Sequence, residues 1–265
     1  MSTRDAATAA LDATVDGIGT DVSTAAELFA VVDLLDGQPM LRRSLSDPSA
    51  TEEGRAALAA RLFEGKVSVS ALAVISAVVG AAWSSGTQLV LGLERQAVRL
   101  SLQAARRSGE LETVSSELYQ LAETVDGSAE LAAALRNQAL PATARRELID
   151  GLVAGRVHAV TAALAARAVN DRVRSYGAAI GGYLETAAGL SGQRIARVTV
   201  ARPLDEARIA RLKTALTAQV GGPVNLQISV DPAVLGGISV AIDDDVYEST
   251  VAARLEDARR QLINL

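Results

Sequence analysis

The sequence predicts a mainly α-helical chain: two tandem helical-bundle units followed by a small α+β C-terminal module. Three observations carry that prediction. Alanine fills 51 of 265 positions, against only six prolines, and alanine is the best helix former and leaves room for close helix approach. A stretch near Glu27 recurs, gapless, near Glu117. After Tyr183 the apolar spacing changes from helical to alternating.

The first stretch, MSTRDAATAALDA, is polar and acidic, and it carries no charged-then-apolar pattern of a secretion signal. The repeat follows. Glu27-Leu28-Phe29 aligns with Glu117-Leu118-Tyr119, Asp36-Gly37 with Asp126-Gly127, and Leu41 and Leu45 with Leu131 and Leu135. Arg55, Leu58, Leu62, Gly65 and Val67 align with Arg145, Leu148, Leu152, Gly155 and Val157. Leucines four apart mark one helix face, Asp-Gly reads as a helix stop, and Gly65 and Gly155 sit where a helix end wants a left-handed residue. Pro48 precedes one new helix and Pro141 opens its counterpart. Duplication explains these matches better than shared composition.

Between the copies, Ala71–Trp83 is the longest apolar run. At 1.5 Å per residue it spans about 20 Å, short of a hydrocarbon core of about 30 Å. It reads as a buried core helix. Gln88–Arg107 has no proline and one glycine, Gly92, and predicts one continuous helix closing the first unit and opening the second, a rigid junction. The domains are thus expected at 1–90, 91–190 and 191–265.

In the last domain, Ile195–Ala201 alternates as a strand and Asp205–Gln219 has helical spacing, stopped by Gly221-Gly222-Pro223. Val224–Val230 and Ile238–Ile242 alternate as two further strands. Val251, Leu255 and Leu262 lie on one face of a final helix.

The inventory for chemistry is small. There is no cysteine, one histidine and 3% aromatics, which excludes disulfides, thiolate nucleophiles, cysteine or histidine metal clusters and aromatic stacking platforms. The net charge of −5 argues against a nucleic-acid partner. Of 26 basic residues only Lys66 and Lys213 are lysine. Asp243-Asp244-Asp245 reads as a solvated turn in preference to a cation site, because successive carboxylates point apart. His158 follows a helix start without an acidic neighbour and reads as a surface or capping residue. Gly236-Gly237 is not followed by Gly-Lys-Ser/Thr, so it is no phosphate loop. No catalytic residue, cofactor or metal ligand is expected.

From Val230 to Leu255 the spacing V-D-P-x-x-x-G-G-I-x-V-x-I-x-D-x-V-x-E-x-(S/T)-V-x-x-R-L closely resembles the C-terminal signature of the delta subunit of F-type ATP synthase, counterpart of the mitochondrial oligomycin-sensitivity-conferring protein. Val198–Leu204 is similar to that family's strand running into its A-x-P-L helix start. Residues 110–190 are similar to its helical bundle through Glu117-Leu118, Leu135, Leu148, Arg172, Ile180 and Tyr183. The chain departs from the pattern at Asp243, where the family commonly has glycine, and at Glu248, where it has aspartate. It also carries an extra helical copy of about 90 residues, an arrangement resembling actinobacterial delta subunits.

The resemblance implies a non-catalytic stator subunit, present once in a hetero-oligomeric complex, peripheral on the cytoplasmic face of the cell membrane without inserting into it. The implied partners are α subunits of the catalytic head, gripped through their N-terminal helices, and the b subunit of the peripheral stalk. Candidate head-contact or core residues are Leu118, Leu135, Leu148 and Ile180. Candidate stalk-contact or core residues are Val234, Leu235, Ile238, Val251, Leu255 and Leu262. A helical scaffold of another assembly is the alternative, and the role of the extra copy stays open.

Overall fold

The computed structural model describes residues 3–18, 22–137, 139–170, 174–231, 237–242 and 245–248. It divides into two compact units, 1–108 and 109–265.

The first unit contains α1 (Thr3–Asp16), α2 (Val22–Asp36), α3 (Pro39–Leu45), α4 (Glu52–Phe63), α5 (Val69–Gly80) and α6 (Gly86–Arg107). Short side chains start its helices by accepting otherwise unpaired amide protons. Thr51 Oγ1 accepts from Gly54 N at 3.1 Å, Ser68 Oγ from Ala71 N at 3.2 Å and Ser85 Oγ from Gln88 N at 3.3 Å. The apolar run becomes α5, buried at Val74, Ile75, Val78 and Val79 against Leu28, Val32, Leu89 and Leu93. Burying a side chain the size of Ile75 contributes about 1.5–3 kcal/mol, so hydrophobic burial makes α5 the centre of its bundle. No described helix is long and apolar enough to cross a membrane. The expected junction helix is unbroken through Gly92, and the whole of α6 groups with the first unit.

The second unit opens with α7 (Leu111–Asp126), α8 (Ala129–Arg136), α9 (Ala142–Val153), α10 (Ala159–Ala168) and α11 (Tyr176–Ser191). The ninety-residue offset recurs in the helix starts: α4 and α9 at 52 and 142, α5 and α10 at 69 and 159, α6 and α11 at 86 and 176. Both glycines expected to end helices are left-handed, Gly65 at φ 73° and Gly155 at φ 66°.

The α+β module follows: β1 (Arg194–Val200), α12 (Glu206–Val220), β2 (Val224–Val230), β3 (Ile238–Ile242) and β4 (Asp245–Glu248). The sheet order is β2-β1-β3-β4. β1 and β2 run parallel, with Val198 opposite Ile228, and α12 is the crossover between them. β3 is antiparallel to β1, Val198 pairing Val240. β4 adds an antiparallel edge the alternation did not foresee: four residues opening on an aspartate are too short to show a period. Ala196, Val198, Val200, Leu216, Val224, Val240 and Ile242 form the module's own core.

Candidate partner-binding surfaces

The duplicated positions include Glu27/Glu117 and Arg55/Arg145, and each pair keeps one backbone partner at equivalent positions of the two copies, Ser68/His158 for the glutamates and Val79/Val169 for the arginines. Glu27 Oε2 accepts the backbone N–H of Ser68 at 2.8 Å; Glu117 Oε2 accepts that of His158 at 2.9 Å and the Thr161 hydroxyl at 2.5 Å. Each carboxylate therefore sits at the start of α5 or α10, where the helix dipole favours negative charge. His158 caps α10, its Nδ1 accepting from Val160 N at 3.2 Å, as its sequence position suggested.

Arg55 and Arg145 are both buried. Arg55 donates to the carbonyls of Ala50 and Gly80 at 2.7 Å, Val79 at 3.0 Å and Asp47 and Ala81 at 3.4 Å. Arg145 reaches the carbonyls of Leu135 at 3.2 Å and Val169 at 3.3 Å, leaving its Nε without a hydrogen bond. A guanidinium suits this place because it carries five fixed donors.

The expected contact residues divide by burial. Leu118 and Ile180 are fully buried and Leu135 is 6% exposed, so these three hold the second bundle together from inside. Leu148, 40% exposed on α9, presents an apolar surface to solvent. Ile238 is half-buried and packs on the module's core. Val234, Leu235, Val251, Leu255 and Leu262 lie outside the described residues, as do Gly236, Asp243 and Asp244; Asp245 is the first residue of β4. Other exposed large apolar side chains are Leu34, Met40, Val69, Leu140 and Val230.

Two clefts were not foreseen. In the first unit, a cleft of about 500 Å³ is lined by Leu11 of α1, Ala82 and Trp83 before α6, and Leu91, Gly92 and Gln96 of α6. The Trp83 indole N–H donates to Val78 O at 2.7 Å, and its ring occupies the space a Cβ at Gly92 would need. Beside the cleft, α1 is clamped to α6. Arg95 binds Asp12 through two bonds of 2.5 and 2.7 Å, Gln96 donates to Asp12 at 2.8 Å, and Arg99 and Gln103 bind Asp16. Burial raises the Asp12 carboxyl, but donation by Arg95 and Gln96 and the charges of Arg95 and Arg99 outweigh it and hold it below its ordinary range. The Arg99 hydrogen bond holds Asp16 low as well.

In the second unit, a cleft of about 510 Å³ lies between bundle and sheet, lined by Tyr119, Glu123 and Asp126 of α7, Gly177 and Gly181 of α11, Arg197 of β1 and Gln227 of β2. Burial and the neighbouring Asp126 push the Glu123 carboxyl up. Among the described residues no group of three acidic or histidine side chains is placed to hold a metal. Only tertiary packing assembles these clefts, from residues far apart in sequence.

Comparison with known proteins supplies the family. Residues 101–262 match the family model described as ATP synthase delta (OSCP) subunit, a match beginning inside α6. A protein of Parafrankia sp. called ATP synthase subunit delta is 41% identical over 242 residues, 90% of this chain and 86% of the relative. One of the same name from Cutibacterium acnes is 38% identical over 262 residues, 99% of this chain and all of the relative. A third, from Streptomyces griseus, is 39% identical over 254 residues, 95% and 94% of the two chains. These alignments run through the first helical copy, which the family model does not reach. The chain belongs to the ATP synthase delta (OSCP) subunit family.

Proposed function

We propose that this chain is the non-catalytic peripheral-stalk subunit that ties the catalytic head of an F-type ATP synthase to its b subunit, on the cytoplasmic face of the membrane. The observation that carries this reading is the similarity to ATP synthase delta subunits along up to 99% of the chain. The task is to resist torque, which requires stiff bundles and broad interfaces and no reactive group. In this reading, residues 1–90 are the extra helical copy, 91–190 the bundle that grips α-subunit N-terminal helices, and 191–265 the module that packs on b.

Partner helices laid into apolar surfaces are held by anchors at helical spacing. Leu148 is the head-facing anchor because it is exposed, with Leu118, Leu135 and Ile180 shaping the bundle behind it. Val234, Leu235, Ile238, Val251, Leu255 and Leu262 form the stalk-facing set. The extra copy takes a second helix, from the head or the stalk.

Co-purification of the tagged full chain from its native membranes, with partners identified by mass spectrometry, tests the assignment. Recovery of α, β and b subunits is expected. Recovery of none, from membranes holding an intact ATP synthase, would leave a helical scaffold of another assembly. Full ATP-driven proton pumping and normal complex stability after deletion of residues 1–85 would refute a partner for the extra copy.

A further inference from the structure

Three residues set the cleft of the first unit apart from the second copy. Asp12, Trp83 and Gln96 stand ninety positions before Leu102, Val173 and Thr186. Leu102 is fully buried, and the Thr186 hydroxyl donates to Gly182 O at 2.9 Å within its own helix. Packing of a bundle of this kind therefore does not by itself call for a carboxylate and an amide at these places.

Gln96 is 0% exposed and lines the cleft of about 500 Å³. Its Nε2 donates to Asp12 Oδ1 at 2.8 Å, which fixes which arm of the amide carries the oxygen. Among the described residues Gln96 Oε1 accepts no hydrogen bond, although buried amide oxygens ordinarily take one. Two other polar groups of the cleft are already committed. The Arg95 fork closes on Asp12 through two bonds, and the Trp83 indole N–H is spent on Val78 O at 2.7 Å. Leu11, Ala82, Leu91 and the Trp83 ring supply apolar walls.

We propose that this cleft binds a small neutral molecule with a flat apolar body and one N–H or O–H group. The body lies against Trp83, and the donor meets Gln96 Oε1. Small-molecule sites are apolar clefts of about 300–1,000 Å³ with a few polar groups that fix orientation, and this cleft has that size and that make-up. The ligand is neutral because Arg95 and Asp12 balance one another and leave no charge to pair. It touches Leu11 of α1 and Leu91 of α6, so its binding ties α1 to the bundle. This inference concerns the first unit and does not depend on what the whole chain assembles with.

Trp83 is the only tryptophan, so its emission reports occupancy of the cleft in the full chain. N-methylbenzamide and methyl benzoate serve as probes: they share ring and carbonyl, and one has an N–H where the other has an ester oxygen. N-methylbenzamide is expected to shift the emission saturably, with a Kd at least tenfold below that of methyl benzoate, since a site with an unpaired polar group rejects the analogue that cannot pair it. Gln96→Met removes the acceptor and is expected to bring the two affinities together. Ala82→Phe, at an exposed position on the rim, fills the cleft and abolishes the shift without lowering the melting temperature. Absence of a saturable shift overturns the site. Equal affinities of the two probes for the parent chain, a comparison that needs no variant, overturn the role of Gln96, as does a preference that survives Gln96→Met.

Discussion

Glu117 and His158 are tied by a 2.9 Å hydrogen bond from the His158 amide to the Glu117 carboxylate, and Glu27 and Ser68, ninety residues earlier, repeat it at 2.8 Å. One carboxylate satisfies a helix start that the hydrophobic core presses against its own helix. Buried amide protons need partners, and hydrogen bonds to charged groups contribute about 1.5–3 kcal/mol. Glu117→Ala is expected to lower stability by about 2 kcal/mol, because it also orphans the fully buried Thr161 hydroxyl. Urea unfolding measures it; a midpoint equal to the parent's would show that the bond contributes nothing.

Arg55 and Arg145 occupy the same place in the two copies with unequal bonding. Arg55→Met unpairs five carbonyl contacts and Arg145→Met two. The first is expected to cost about 3 kcal/mol and the second about half that. Equal losses would mean that hydrogen bonding is not what retains arginine there.

Gly92 and Gly181 are both helical, with opposite expectations. A Cβ at Gly92 would stand 2.1 Å from the Trp83 ring, whereas one at Gly181 meets nothing within 4 Å. Gly92→Ala is expected to lose about 1–3 kcal/mol through overpacking and to shift the emission of Trp83, the only tryptophan. Gly181→Ala is expected to gain about 0.5–1 kcal/mol from helix propensity. Thermal melts read the sign of each.

Asp12 and Asp16 make the first unit acid-sensitive. Both carboxyls are held below their ordinary value of 3.8 in the folded chain. Their stabilisation is complete above that value and is lost as pH falls through the lower folded values. Asp12→Asn and Asp16→Asn together should lower stability at neutral pH and flatten the acid limb of an unfolding curve followed by Trp83 fluorescence. An acid limb of unchanged steepness would place the sensitivity in other carboxylates.

Leu148→Asp separates binding from folding. The side chain is 40% exposed, so the melting temperature should hardly change while affinity for an α-subunit N-terminal peptide falls at least tenfold, which corresponds to about 1.4 kcal/mol. Unchanged affinity by titration calorimetry would remove α9 from the proposed head contact.

The class of fold, the repeat and most element positions are legible in the residues alone, because each has a local cause. Alanine content and leucine spacing make helices, Gly65 and Gly155 end them, and alternation from Ile195 makes β1. His158 as a cap and Asp205 at the start of α12, where it accepts from Arg208 N at 2.8 Å, are equally local. The remaining features depend on residues far apart and are set by packing. Leu135 and Leu148 both read as apolar positions at helical spacing; packing buries one and exposes the other, since hydrophobicity does not say which neighbour arrives. The two clefts and the Arg95–Asp12 clamp, joined across 83 residues, have no local pattern. The Glu112–Lys213 pair is a further instance, because its partners are 101 residues apart and meet only when α12 is brought beside the start of α7.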